Sequence, residues 1–227
     1  MQRHNLFYQI HKGLRAALYH TALHLQQADF TVAEETETAV GEVKEVVLLF
    51  DEHAHKEDKF ILSALAAFEP SVVDAFEQEH VTDLALSFQL NTTIAELEAA
   101  LTNEEKAATG TRLVLQFNEF VAFNLQHMAK EEDVLNKLLW RFFDDREIGT
   151  IHQSILQATP PWLMDFYAKW ILRGINVPET SAWLKQVEQQ APPVVFETLL
   201  TKAEQELPRS RYRKVLHSVS KEVALAS

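Results

Sequence analysis

The chain has 227 residues, 47% of them hydrophobic and 24% charged, with a formal net charge of -12 at pH 7; this is globular chemistry for one to two domains. Without a cysteine it can form no disulfide, thiolate zinc site, iron–sulfur cluster or cysteine nucleophile, and its acidity argues against nucleic acid as the main partner. No run of ~18 apolar residues is present to span a membrane, the start MQRHNLFYQI lacks the features of a secretory signal, and the expected location is the cytoplasm.

Proline divides the sequence. Residues 1–158 contain only Pro70, whereas 159–227 contain six prolines. The pattern predicts long helices first and then short ones, begun near Pro161, Pro178, Pro193 and Pro208. Period-2 alternation is rare, so the expected class is all-α. A first helix over 3–28 sets His11 beside Phe7, Leu14 and Leu18. The connection ADFTVAEET leads to a second helix over 37–68. Its apolar stripe is Val43, Val46, Phe50, Ile61, Ala64 and Phe68, with Glu57 in the middle and His53 one turn earlier on the same face. Glu69-Pro70-Ser71 turns into a third helix over 70–102, where His80 falls among Val73, Phe76 and Leu84. Thr102-Asn103 breaks the pattern before a fourth helix over 104–143, with an irregularity expected at Gly110. Here His127 and Glu131 share a stripe with Phe120, Phe123, Val134 and Leu138. Short connections imply an up-down-up-down four-helix bundle over 1–145, and 146–227 is expected to form a helical C-terminal extension packed on it.

The inward histidines fall at matching heights. Glu57 lies 12 residues before the second turn and His80 lies 10 after it; His11 and His53 are 17 and 16 residues from the ends of the first connection; His80 and His127 are each 23 residues from the third. At 1.5 Å per residue, three independent turns put six side chains in one layer. A lone carboxylate in a bundle core is costly, and two in one layer also repel unless cations neutralise them. Four imidazoles and two carboxylates suit two first-row metals, both glutamates bridging. Each histidine taken alone reads more simply as a hydrogen-bonded core residue; four histidines and two glutamates in one layer do not. The other histidines (His4, His20, His24, His55, His152 and His217) are expected to be background, His24 lying nearest a stripe. A ferritin-like carboxylate site built on Glu52/His55 and Glu77/His80 fails, because the first pair points away from the stripe and no acid lies between 1 and 28.

The segments IHKGLR around His11, DEHAHKEDKFIL around His53 and Glu57, QEHVTDL around His80, and LQHMAKEEDVL around His127 and Glu131 resemble the hemerythrin-like, or HHE cation-binding, domain family over residues 1–145. The resemblance implies a four-helix bundle around a non-haem di-iron centre. His11, His53, His80 and His127 would be terminal ligands of two iron ions, and Glu57 and Glu131 would bridge them with a solvent oxygen. Zinc or another divalent metal can take such a site in a purified sample. Leu84 stands where oxygen-carrying members have a further histidine, and Ala54 where some relatives have an acid. The expectation therefore moves from plain oxygen carriage to binding or sensing a small diatomic ligand such as oxygen or nitric oxide. An oxidoreductase or iron-centre repair enzyme using the same centre is the alternative, and a metal-free helical interaction module is the reading of a different class. No catalytic acid or base stands out beyond the metal shell, and no site for an organic cofactor. Neither nucleic acid nor membrane is an expected partner; a homo-oligomer is left open.

Overall fold

A computed structural model describes residues 3–223, with side chains to residue 219. Its elements are all helical: α1 (Tyr8–Gln27), α2 (Ala33–Lys56), a π-helical segment π1 (Glu57–Leu62), α3 (Ser63–Leu65), α4 (Pro70–Ala99), α5 (Asn103–Lys130), a second π-helical segment π2 (Glu131–Leu135) and α6 (Asn136–Phe142). After these come α7 (Asp145–Ala158), α8 (Pro161–Gly174), α9 (Val177–Gln190), α10 (Pro193–Glu206) and α11 (Arg209–Val223). The chain is thus all-α, with a bundle of four long helices (α1; α2–π1–α3; α4; α5–π2–α6) and further short helices, as expected.

Local chemistry sets the helix ends. Thr102 and Glu105 form a capping box at the start of α5, Asp144 and Glu147 do so at α7, and Asn176 and Glu179 at α9; each box satisfies two backbone N–H groups that the first turn leaves over. Pro161 and Pro193 open α8 and α10, Pro178 lies in the first turn of α9, and Pro208 immediately precedes α11. Each proline sits where its missing N–H costs nothing.

α4 and α5 obey a seven-residue repeat. α4 buries Val73, Phe76, His80, Asp83, Ser87, Leu90, Ile94 and Leu97 in this repeat and α5 Gly110, Leu113, Phe117, Phe120, Asn124 and His127, with Thr93 and Met128 buried beside it, and Glu131 continues the series in π2. A period of 3.5 keeps one seam facing a partner helix. It corrects two expectations. Leu84 is 61% exposed, and Asp83 holds the buried place one turn after His80. Gly110 causes no irregularity; a Cβ there would overlap the ring of Phe30, so the glycine admits that ring against an unbroken α5.

The irregularities lie instead at π1 and π2, and each rotates the helical turns C-terminal to it. Phe68 and Val134, expected in the apolar stripes, are 47% and 36% exposed, while Leu65, Leu135 and Leu139 are buried. The buried series has moved from 64 to 65, from 134 to 135 and from 138 to 139. A π turn takes one extra residue, so every later side chain falls one position behind a 100° count.

By internal packing the chain forms two compact units, residues up to 8 with 17–160, and 9–16 with 161 onward. By this packing α7 goes with the first unit. In the first unit, Ile148 of α7 is buried with Phe7, Ile61, Leu62, Leu65, Val73, Phe76, Leu135 and Leu139. The second unit has its own core of Leu172, Leu184, Leu199, Ala203, Leu207, Val215 and Val219. Within it the 9–16 turns of α1 approach α8 closely: a Cβ on Gly13 would lie 2.9 Å from Ile171, and one on Gly174 would overlap the Lys12 carbonyl. Lys12 Nζ also pairs with Glu179 at 2.6 Å.

Candidate metal centre

Six elements present the residues picked from the sequence. His11 lies on α1, His53 in the last turn of α2, Glu57 at the first position of π1, His80 on α4, His127 in the last turn of α5 and Glu131 at the first position of π2. His11 and Glu131 are wholly buried, Glu57 is 2% exposed, His127 5% and His80 8%. The side chain of His53 is 12% exposed.

These six fall into two overlapping sets of four, each with its ligand atoms within 4.8 Å of one another: His11, His53, Glu57 and Glu131, and Glu57, His80, His127 and Glu131. The two glutamates are common to both. His53 Nε2 lies 3.1 Å from Glu57 Oε1, His127 Nε2 3.1 Å from Glu131 Oε1, and His80 Nε2 3.5 Å from Glu57 Oε2. The Nε2 atoms of His80 and His127 face each other at 3.2 Å. Donor atoms sharing one tetrahedral first-row ion, at bonds of ~2.0–2.2 Å, stand roughly 3.3 Å apart. The observed separations fit that spacing.

The far sides of two rings are fixed by carboxylates that the sequence reading missed. His80 Nδ1 is 2.6 Å from Asp58 Oδ1, and His127 Nδ1 is 2.8 Å from Glu79 Oε2, whose other oxygen accepts from Lys130 Nζ at 2.6 Å. An imidazole that donates Nδ1–H outward turns the Nε2 lone pair inward, the posture of a metal ligand oriented by an outer carboxylate. The signal was available, because Asp58 comes directly after Glu57 and Glu79 directly before His80. Neighbours of a stripe residue point about 100° to its side, so they read as solvent-facing acids.

Electrostatics express the same arrangement. Burial alone would lower the pKa of His80, but hydrogen bonds to Asp58 and Glu57 and the charges of both raise it to about 10. Burial likewise acts downward on His127, and Glu131, the charge of Glu57 and the hydrogen bond to Glu79 together raise it to about 9. In the chain's own electrostatics, imidazolium protons fill the place that the donor set offers to a cation. A second polar layer lies beyond. Asp83, 3% exposed, accepts from Asn124 Nδ2 at 2.6 Å, and Ser87 donates to Asp51 at 2.8 Å. Burial pushes the Asp83 carboxyl up to about 6, against the hydrogen bond from Asn124 and the nearby His127.

The remaining histidines divide. His55 is exposed, as expected, and Glu52 of the rejected Glu52/His55 motif accepts from Lys56 Nζ at 2.7 Å. His4 and His152 meet at 3.2 Å, with burial pushing His152 down to about 4. His20 and His24 converge on Glu42.

Compared with known proteins, residues 4–139 match the family model of the hemerythrin HHE cation binding domain. No curated protein and no solved structure gave a match. Among the described residues, no helix is long and apolar enough to cross a membrane.

Proposed function

The chain belongs to the hemerythrin HHE cation-binding domain family, and on that premise we propose that its buried His/Glu cluster is a non-haem di-iron centre that binds or senses a small ligand such as oxygen or nitric oxide. One observation carries the reading: two sets of four buried ligand atoms share Glu57 and Glu131. His11 and His53 would serve one ion, His80 and His127 the other, and the two carboxylates would reach both. Iron held by imidazole and carboxylate supplies a one-electron couple and an open coordination position.

The chain's own residues do the rest. Asp58 and Glu79 hold the His80 and His127 rings in orientation through Nδ1. Phe123 stacks on His127 with ring centroids 5.9 Å apart, and Phe76 meets it edge-on at 5.8 Å. Such an aromatic wall limits water and strengthens the electrostatics inside it. We place the protein in the cytoplasm, with a diatomic ligand as its partner.

Anaerobic loading with ferrous iron and then elemental analysis tests the centre: about two irons per chain are expected, and none in a Glu57→Ala/Glu131→Ala double variant. A folded chain that takes up no iron would overturn the reading. The alternative, an oxidoreductase or iron-centre repair enzyme at the same centre, draws on Asp83. Its carboxyl, one turn from His80, is raised by burial to about 6, near enough to neutrality to give and take a proton during turnover. Stoichiometric ligand uptake supports sensing; repeated consumption of oxygen or peroxide, lost in Asp83→Asn, supports the enzyme.

A further inference from the structure

We propose a second, peripheral metal site on the first unit: a mononuclear site for a divalent transition ion of the zinc class, formed by His20 and His24 of α1 and Glu42 of α2. The two histidines are four residues apart, so they are neighbours on one helix face. Their ring centroids lie 3.9 Å apart. His24 Nδ1 is 3.0 Å and His20 Nε2 3.4 Å from the same oxygen, Glu42 Oε1, and the three ligand atoms lie within 4.8 Å of one another. Again the separations are close to the ~3.3 Å expected of atoms sharing one tetrahedral ion.

A second observation points to a cation. Glu42 Oε2 is shut off from solvent and has no hydrogen-bond donor, a costly arrangement for an ionised carboxylate. An ion bound through Oε1 offsets the charge that Oε2 has no donor to share. Two imidazoles and one carboxylate select a borderline ion such as Zn2+ over Mg2+ or Ca2+, which take oxygen shells. Three protein ligands leave a fourth position for water. His20 and His24 are 9 and 13 residues from His11, or roughly 13 and 20 Å along the helix, so this site is separate from the buried cluster. By spacing, His20 lies opposite His11 and His24 at the edge of the α1 stripe, so neither is expected as a ligand of the core cluster.

The experiment loads the 227-residue chain with iron, titrates it with zinc chloride by calorimetry, and counts retained zinc after gel filtration. Wild type should retain a zinc ion that His24→Ala and Glu42→Gln each lose, with iron content unchanged. The Glu57→Ala/Glu131→Ala variant should still bind that zinc, so the peripheral site stands or falls apart from the di-iron reading. Zinc K-edge absorption of wild type should show nitrogen and oxygen neighbours with two imidazoles. Equal zinc in wild type, His24→Ala and Glu42→Gln would overturn the proposal, as would zinc that disappears only in the core variant.

Discussion

His80 and His127 are each held between two carboxylates, one facing the cluster and one outside it, and this sets both their metal affinity and their pH behaviour. Asp58→Ala leaves the inner ligands in place but frees the His80 ring to rotate and weakens its basicity. Metal affinity should fall about 10–100-fold, measured by competition with a chelator, while the helical circular dichroism is retained. His80→Ala should remove a ligand and lower the melting temperature of the metal-loaded protein strongly. His55→Ala, at an exposed position, should change stability by no more than about 0.5 kcal/mol. The pH dependence has a definite sign. The folded-state values of about 10 for His80 and about 9 for His127 lie above the ordinary ~6.5 of an unfolded histidine. Their contribution to the stability of chelator-stripped protein is therefore complete below ~6.5 and is lost as pH rises through ~9 to ~10. Metal competes with those same protons, so its affinity rises across that window. Melting curves of stripped and loaded protein should separate progressively between about pH 6.5 and about pH 10, and parallel curves would sink this account. The six inward His and Glu were legible because stripe position and height along a helix are properties of sequence spacing. Asp58, Glu79 and Asp83 were not, because whether an acid beside a stripe faces water or a neighbouring ring depends on the packing of a second helix.

At the scale of elements, both His-x-x-x-Glu pairs lead directly into π-helical turns, π1 beginning at Glu57 and π2 at Glu131. Single π turns recur at functional sites because they widen the backbone and re-aim side chains. A four-residue His-to-Glu spacing looks the same whether the next turn is α or π, so the sequence did not disclose them; their trace is the displacement of Ala64, Phe68, Val134 and Leu138 from the expected core. Helix limits were far more legible, since capping boxes and prolines are local signals with local causes. The π turns yield a test. Deleting Asp133, a surface residue of π2 paired with Lys137, returns that turn to α-helical length. Leu135 and Leu139 then keep their inward phase, because the deletion cancels the one-residue lag. The variant should fold with nearly wild-type helicity but bind metal more weakly, as Glu131 no longer leaves the helix at the widened turn. Unchanged metal content and unchanged release to a chelator would show the π turn to be incidental to the site.

At the scale of the whole chain, α1 runs unbroken through residues of both units, and its 9–16 turns are held by the C-terminal helices. Gly13 lets Ile171 approach the α1 backbone, Gly174 lets the Lys12 carbonyl approach α8, and Lys12 pairs with Glu179. The second unit joins the 9–16 turns of α1, which carry His11, to the residues from 161 onward. A sequence pattern shows where an apolar face lies but not which stretch of another helix covers it, which is why the division between units was not legible. A chain ending at Pro160 still contains all six cluster residues. It also loses every one of those contacts around Gly13, so the 9–16 turns of α1 are held only from their two ends, Phe7 staying buried in the core of the first unit, and they open more readily. Metal held through His53, Glu57, His80, His127 and Glu131 should persist in the shortened chain. Metal that depends on His11 should be released faster to a chelator, and total content should drop below that of the full chain. Gly13→Val, which forces a side chain into Ile171, should reproduce the faster release in the 227-residue chain. If both variants retain metal as wild type does, the second unit has a role unconnected with the centre.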